Sequence, residues 1–195
     1  MLVHGTYLVH DSEFFSAALK KEWLEGKSRI IQLPEECTDT VAHYVTFTYL
    51  EKLPTSDMNP LAWQKYAELE PVHQASFDDC FNLLVRLYVC GEKFLNRAIQ
   101  RAVIKELFRH MAHDKNESWG LESADINIMY CGTPEGSPGR RFLVDWHIRK
   151  GSEKWLDSDL DPAFVLDIAK AFTRIVENKK PLEEVYTDLK AEDYL

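Results

Sequence analysis

One stretch limits the fold more than any other. Between Phe81 and Leu107 the apolar residues recur every three or four positions. Phe81, Leu84, Val85, Tyr88 and Val89 make one stripe, and Leu95, Ala98, Ile99, Ala102, Val103 and Leu107 make a second. A period near 3.6 places each set on one face of an α-helix. Two such helices in succession each need an apolar surface to pack on, so a helical core is predicted at the centre of the chain. With 195 residues, 45% of them hydrophobic, the chain is long enough to bury about 70% of the surface its unfolded form exposes. It needs no covalent staple to do so.

The flanks carry weaker but readable signals. Ser12 is a good N-cap, because its hydroxyl accepts a first-turn amide, and Phe14, Phe15, Ala18 and Leu19 follow on one helical face. Gly26 is placed to end that helix. "RIIQLP", Arg29 to Pro34, combines β-branched residues with a proline stop and reads as a short strand. Thr38 or Asp39 then caps a helix with Val41, Tyr44, Val45 and Thr48 inward. The segment 54–76 is broken by three prolines and reads as a surface insertion. A polar stretch, His110 to Gly120, marks a boundary. Beyond it Ser123 caps a helix that "GTPEGSPGRR" interrupts, and Phe142 to Arg149 reads as another. "LDSDLDP" caps a last long helix from Pro162 to about Asn178, with Val165, Ile168, Ala169, Phe172, Ile175 and Val176 predicted inward. The fold class that follows is α+β, predominantly helical, with a few short strands early and helices after them. Two parts are expected, residues 1–110 and a helical extension 120–195. A Rossmann-type sheet is excluded by the lack of alternating strands.

Charge narrows the functions. The chain carries 32 acidic and 23 basic side chains, a net charge of −9. Nucleic-acid binding draws its affinity from lysine and arginine on phosphates, and here no basic run exceeds two residues, so no nucleic-acid partner is expected. No apolar run approaches the ~20 residues of a membrane helix, so no membrane partner is expected either. Cysteines stand at 37, 80, 90 and 131 with no CxxC, as free thiols in a reducing compartment do. The expected location is intracellular, in cytoplasm or nucleus.

The candidate chemical sites are thin. His4 and His10 are poorly spaced for one helix face and read as structural. His110, His113 and Asp114 share a helix end and supply the metal-site alternative, but without an HExxH pattern. Cys80 and Cys90 lie in apolar helical runs, where a thiol is inert by default. "GTPEGSPGRR" lacks the GK[ST] ending of a phosphate cradle. Thr133-Pro134 and Ser137-Pro138 are candidate proline-directed phosphorylation sites, with Arg140-Arg141 to pair with the phosphate. No catalytic, metal or cofactor residues are assigned, and the chain is expected not to be an enzyme. The alternative reading is a metal-binding protein or enzyme built on the His110 cluster or on one cysteine.

The order of these segments resembles BTB/POZ domains. In "VHGTYLVHDSEFF", Val3, His4, Leu8, Ser12, Phe14 and Phe15 stand in the register of the family's strand, short helix and Ser-x-Phe-Phe helix start. "RIIQLPEECTDTVAHYVTFTYLEKLP" is similar to its next strand and helix, through Ile30, Leu33, Val41 and Tyr49-Leu50. "LLVRLYVCGEKFLNRAIQRAVI" is similar to its closing helix pair, with Gly91 and Glu92 where Ala-Asp is usual. "IMYCGTPEGSPGRRFLVDWHIRKGSEKWL" resembles the helical extension of fungal BTB-domain proteins. The resemblance implies a protein–protein interaction module: a substrate adaptor for a cullin-based ubiquitin ligase or an oligomerisation scaffold, whose partner is a cullin or another BTB chain. It implies no cofactor. Phe77, Asp78 and Asp79 match the family's apolar-x-acidic cullin contact. The family's N-terminal β-hairpin, used there for homodimerisation, is not matched before Val3; the expectation is either that it is absent or that it lies upstream in a longer gene product, so the resemblance does not decide homodimerisation.

Overall fold

The computed structural model describes residues 2–53, 77–113, 122–150, 153–178 and 190–195, with the backbone alone described at 77–79, 110–113 and 154. Two units divide between Glu106 and Leu107.

In the first unit, Met1–Glu106, the chain enters through α1 (Gly5–Asp11) and α2 (Glu13–Ala18). Ser12 separates them in an extended conformation. Its hydroxyl accepts the Phe15 amide at 3.1 Å, the expected cap, and donates to the Phe94 carbonyl at 2.5 Å. One buried oxygen thus ends one helix, starts the next and ties both to a segment 82 residues away. A short α3 (Leu24–Ser28) follows, then α4 (Thr38–Leu50), α5 (Phe77–Lys93) and the start of α6 (Arg97–His113), which continues into the second unit from Leu107. α4 packs on α5, and α1 packs on both α2 and α4.

The two helices expected from the central stripes form. Leu84, Val85, Tyr88, Val89, Ile99, Val103 and Leu107 are buried, while Leu95 sits exposed in the α5–α6 turn at a left-handed φ of 51°. An aromatic cluster joins them to the N-terminal helices. Phe94 lies 5.0 Å, ring to ring, from both Phe15 and Tyr44, and 5.5 Å from Phe14. Offset and edge-on pairs of this kind add to the area they bury.

The α+β class is not what forms: the structure is helical, with no strand among the described residues. Val3-His4 leads directly into α1, with His4 its extended N-cap. "RIIQLP" begins at Arg29, the left-handed end of α3 at φ 59°, and Ile30 to Leu33 run without regular structure. Ile30 is 63% exposed. β-Propensity describes fit to a pleated neighbour, and none of the described residues forms a neighbouring strand to supply the ladder.

Gly26 does not end α2, which stops at Ala18; it lies buried inside α3. A Cβ there would come within 1.9 Å of the Lys20 carbonyl oxygen, so the glycine permits a close backbone approach. Gly91 has a related role. A Cβ would meet Ile99 Cγ2 at 2.7 Å and Gln100 Cγ at 2.9 Å, so an alanine there would crowd the α5–α6 turn.

The second unit, Leu107–Leu195, contains α7 (Ser123–Gly132), α8 (Pro138–Lys150), a 3₁₀ turn (Glu153–Trp155), α9 (Pro162–Glu177) and a C-terminal 3₁₀ turn (Ala191–Tyr194). α9 starts as its sequence predicts: Asp161 Oδ1 accepts the Ala163 amide at 2.8 Å and Pro162 opens the first turn. Asn127 fixes the loop before it. Its Nδ2 donates to the Asp159 carbonyl at 2.7 Å, and its Oδ1 accepts the Asp161 amide at 2.8 Å. α9 packs mainly on α8 and more lightly on α7. Tyr194 closes the unit, its ring 5.7 Å from those of Phe108 and Phe142 and its hydroxyl donating to Asp145 at 2.6 Å.

Candidate functional site

The residues matched to a cullin contact, Phe77, Asp78 and Asp79, open α5, and their side chains lie outside the described residues. So do the side chains of His110 and His113, at the end of α6, and all of Asp114 and of the 54–76 insertion. His4 has a structural partner: its backbone amide donates to the Tyr49 hydroxyl at 2.8 Å, and its ring meets the Tyr49 ring edge-on. His10 lies 2.9 Å from Asp11 on the surface. Among the described residues no three His, Cys, Asp or Glu side chains group as a metal site would require.

The "GTPEGSPGRR" loop is built differently from the phosphorylation reading. Thr133 and Ser137 are buried, at 7% and 4% exposure. The Thr133 hydroxyl donates to the Met129 carbonyl at 2.6 Å and accepts from Arg140 Nε at 3.1 Å. Arg140 Nη2 donates to the carbonyls of Tyr130 and Thr133, and its guanidinium lies 4.5 Å from the centre of the Tyr130 ring. Arg140 therefore satisfies the carbonyls freed at the end of α7. Tyr130 in turn donates to Asp167 at 3.1 Å, and burial holds its hydroxyl protonated well above the usual range.

Among the described residues of the second unit, α9 carries exposed apolar side chains. Phe164, Ile168 and Ile175 are buried against the unit. Beside them runs a second apolar line: Val165 (44% exposed), Ala169, Phe172 (39%) and Val176 (75%), with Leu166 (54%) at its edge. The steps of four, three and four keep this line on one face, roughly a quarter-turn from the buried one by the 3.6-residue period. Four residues predicted to face the core, Val165, Ala169, Phe172 and Val176, are thus on the outside. The apolar sector of α9 is wider than one packing surface covers.

His147 lies deep in the same unit, on α8. It is 5% exposed, its ring edge-on to Trp155 and Phe164, and its Nδ1 has no hydrogen-bond partner. Burial alone lowers its pKa, so the imidazole is neutral at neutral pH.

A polar node lies in the first unit, and no local pattern announced it. Glu36 is 57 residues from Lys93, yet its Oε1 accepts from Lys93 Nζ at 2.7 Å and its Oε2 accepts from Cys90 Sγ at 3.5 Å. The ion pair is partly solvated, so it contributes little stability. Burial, reinforced by Glu36, pushes the Cys90 thiol up to about 12. Cys37, next in sequence, is exposed and forms the N-cap of α4. No cap hydrogen bond is closed by the thiol, but the Thr40 and Asp39 amides favour its thiolate and lower its pKa.

Comparison with models of protein families, with curated proteins and with solved structures found no match.

Proposed function

We propose that this chain is a protein–protein interaction module that presents the outer line of α9 to a protein partner. The observation that carries the reading is the Val165–Ala169–Phe172–Val176 line beside an already buried face. Single exposed apolar residues are ordinary, whereas a contiguous stripe on one helix is the mark of a binding surface. Helix-in-groove recognition uses anchors at this spacing. The role is also the one implied by the BTB/POZ resemblance, as adaptor or oligomerisation scaffold, with a cullin or a second BTB-type chain as partner. The net charge of −9 supports a protein rather than a nucleic-acid partner. Free cysteines support a reducing compartment, cytoplasm or nucleus.

The test is quantitative affinity capture with the wild-type chain and with Phe172→Asp and Val176→Asp. Both positions are exposed, so the variants keep the fold. Specific partners are expected to fall at least tenfold, which corresponds to about 1.4 kcal/mol of lost binding. Partners recovered equally by all three chains would refute the α9 reading. The cullin version has its own variants: Phe77→Ala and Asp79→Ala each weaken cullin recovery, and no change in either rejects that version.

A further inference from the structure

The order of residues along the outer line of α9 is self-complementary. Its steps of four, three and four are those of alternate d and a positions in a heptad, the seam along which two helices pack at a shallow angle. Val165 and Val176 stand at the ends of the line, with Ala169 and Phe172 between them. Lay a second α9 antiparallel, about a two-fold axis midway between Ala169 and Phe172. Val165 then faces the partner's Val176, and Ala169 faces the partner's Phe172. Small meets large in both central layers, as close packing requires. A parallel pair would instead stack ring on ring at Phe172 beside a gap at Ala169, with the two helix dipoles aligned. Charge agrees with this pairing. The line is uncharged, and so are Leu166 and Thr173 on its exposed flank. Ile168 and Ile175, on its other flank, are buried in the unit itself. By the 3.6-residue period, Asp167 and Arg174 lie roughly opposite the line. Two chains of net charge −9 repel at a distance, and here they meet where no like charges are brought together.

We propose that α9 is a homodimerisation helix, on which two copies of this chain pair antiparallel with each Phe172 seated on the partner's Ala169. The proposal rests on the reading of α9 as a binding surface and names its occupant, a second copy. The contact is isologous, so it closes on itself and stops at two chains. Area sets its strength. α9 has 16 residues, a length of about 24 Å. One pair of helices this long stays at or below the low end of specific interfaces, about 1,200 Å² in total. The dimer is therefore reversible, with a Kd on the order of 10 µM. Salt screens the repulsion between two acidic chains and leaves the apolar seam intact, so the dimer tightens as ionic strength rises.

The test is sedimentation equilibrium of the reduced full chain, from about 1 to 200 µM, a range that brackets the expected Kd. A monomer–dimer equilibrium is expected. Ala169→Phe and Phe172→Ala each weaken it by about tenfold or more, and the two together restore it to within about threefold of wild type. The swap restores a second copy because both chains carry it; a partner of unrelated sequence would gain nothing from it. Val165→Lys with Val176→Glu repeats the test in charge, each change alone abolishing the dimer and the pair restoring it, and decides the matter should a ring at position 169 disturb the helix. A chain that stays monomeric up to about 200 µM, a dimer that ignores the single changes, or one that neither double variant restores overturns the proposal. Failure of the α9 reading itself is distinguishable. If the chain is monomeric yet loses captured proteins on Phe172→Asp, the second copy is rejected and the binding surface stands. If neither dimer nor capture responds to Phe172→Asp, both are rejected.

Discussion

Replacing Asn96 with alanine tests how the first unit is locked. Asn96 is 1% exposed and both ends of its amide are used. Its Oδ1 accepts the Ile99 amide at 3.1 Å, which caps α6, and its Nδ2 donates to the Tyr44 hydroxyl at 2.9 Å. Loss of such a cap costs about 1 kcal/mol. The Tyr44 hydroxyl, fully buried on α4, loses its main partner, and an unsatisfied buried hydroxyl costs about 1–3 kcal/mol. Ser12 lies against the same hydroxyl, which moderates that loss. The expected total is about 2–3 kcal/mol, a large share of a domain stability of about 5–15 kcal/mol. Native-state hydrogen exchange of the α4 and α5 amides reads this unit separately from the other. In a Tyr44→Phe background there is no hydroxyl to orphan, so Asn96→Ala costs only the cap, and the two substitutions couple by about 1 kcal/mol or more. A cost under about 0.5 kcal/mol, or equal costs in both backgrounds, would refute the assignment.

Two further outcomes follow from buried groups. The depressed pKa of His147 means that the unfolded chain, with an ordinary value of 6.5, binds a proton that the folded chain does not. Stability is therefore full above that value and declines as pH falls from it toward the folded pKa. His43, half-buried on α4, is lowered for the same first cause and adds to the slope. Urea titrations of His147→Phe between pH 7 and pH 5 should show a shallower loss than wild type, and parallel curves would reject the burial argument. At Gly26, alanine places a Cβ against the Lys20 carbonyl, and overpacking of this kind costs about 1–3 kcal/mol. An unchanged thermal midpoint in Gly26→Ala would mean that the Lys20 backbone yields freely.

What was legible in the sequence was local. The caps at Ser12 and Asp161 and the central helical stripes needed only neighbours within one or two turns, and all three form. The strand at Arg29–Pro34 failed because a strand is completed by a partner, which propensity cannot supply. Gly26 was misplaced because the feature that demands glycine there, the Lys20 backbone, is a matter of three-dimensional path rather than helix termination. α9 was half legible. Its spacing marks Ile168 and Ile175 correctly, but a stripe wider than one contact does not reveal which half the fold covers. The Glu36–Lys93–Cys90 node joins residues more than fifty positions apart and leaves no local trace.

The direct measurement of partner binding through α9 is site-specific photo-cross-linking in cells. A photoreactive side chain at Val176, on the exposed apolar line, is compared with one at Lys170, off that line on the same helix. A discrete protein adduct at position 176, absent at position 170 and lost when Phe172→Asp is added, is the predicted result. No adduct at position 176, or equal adducts at both positions, would contradict it.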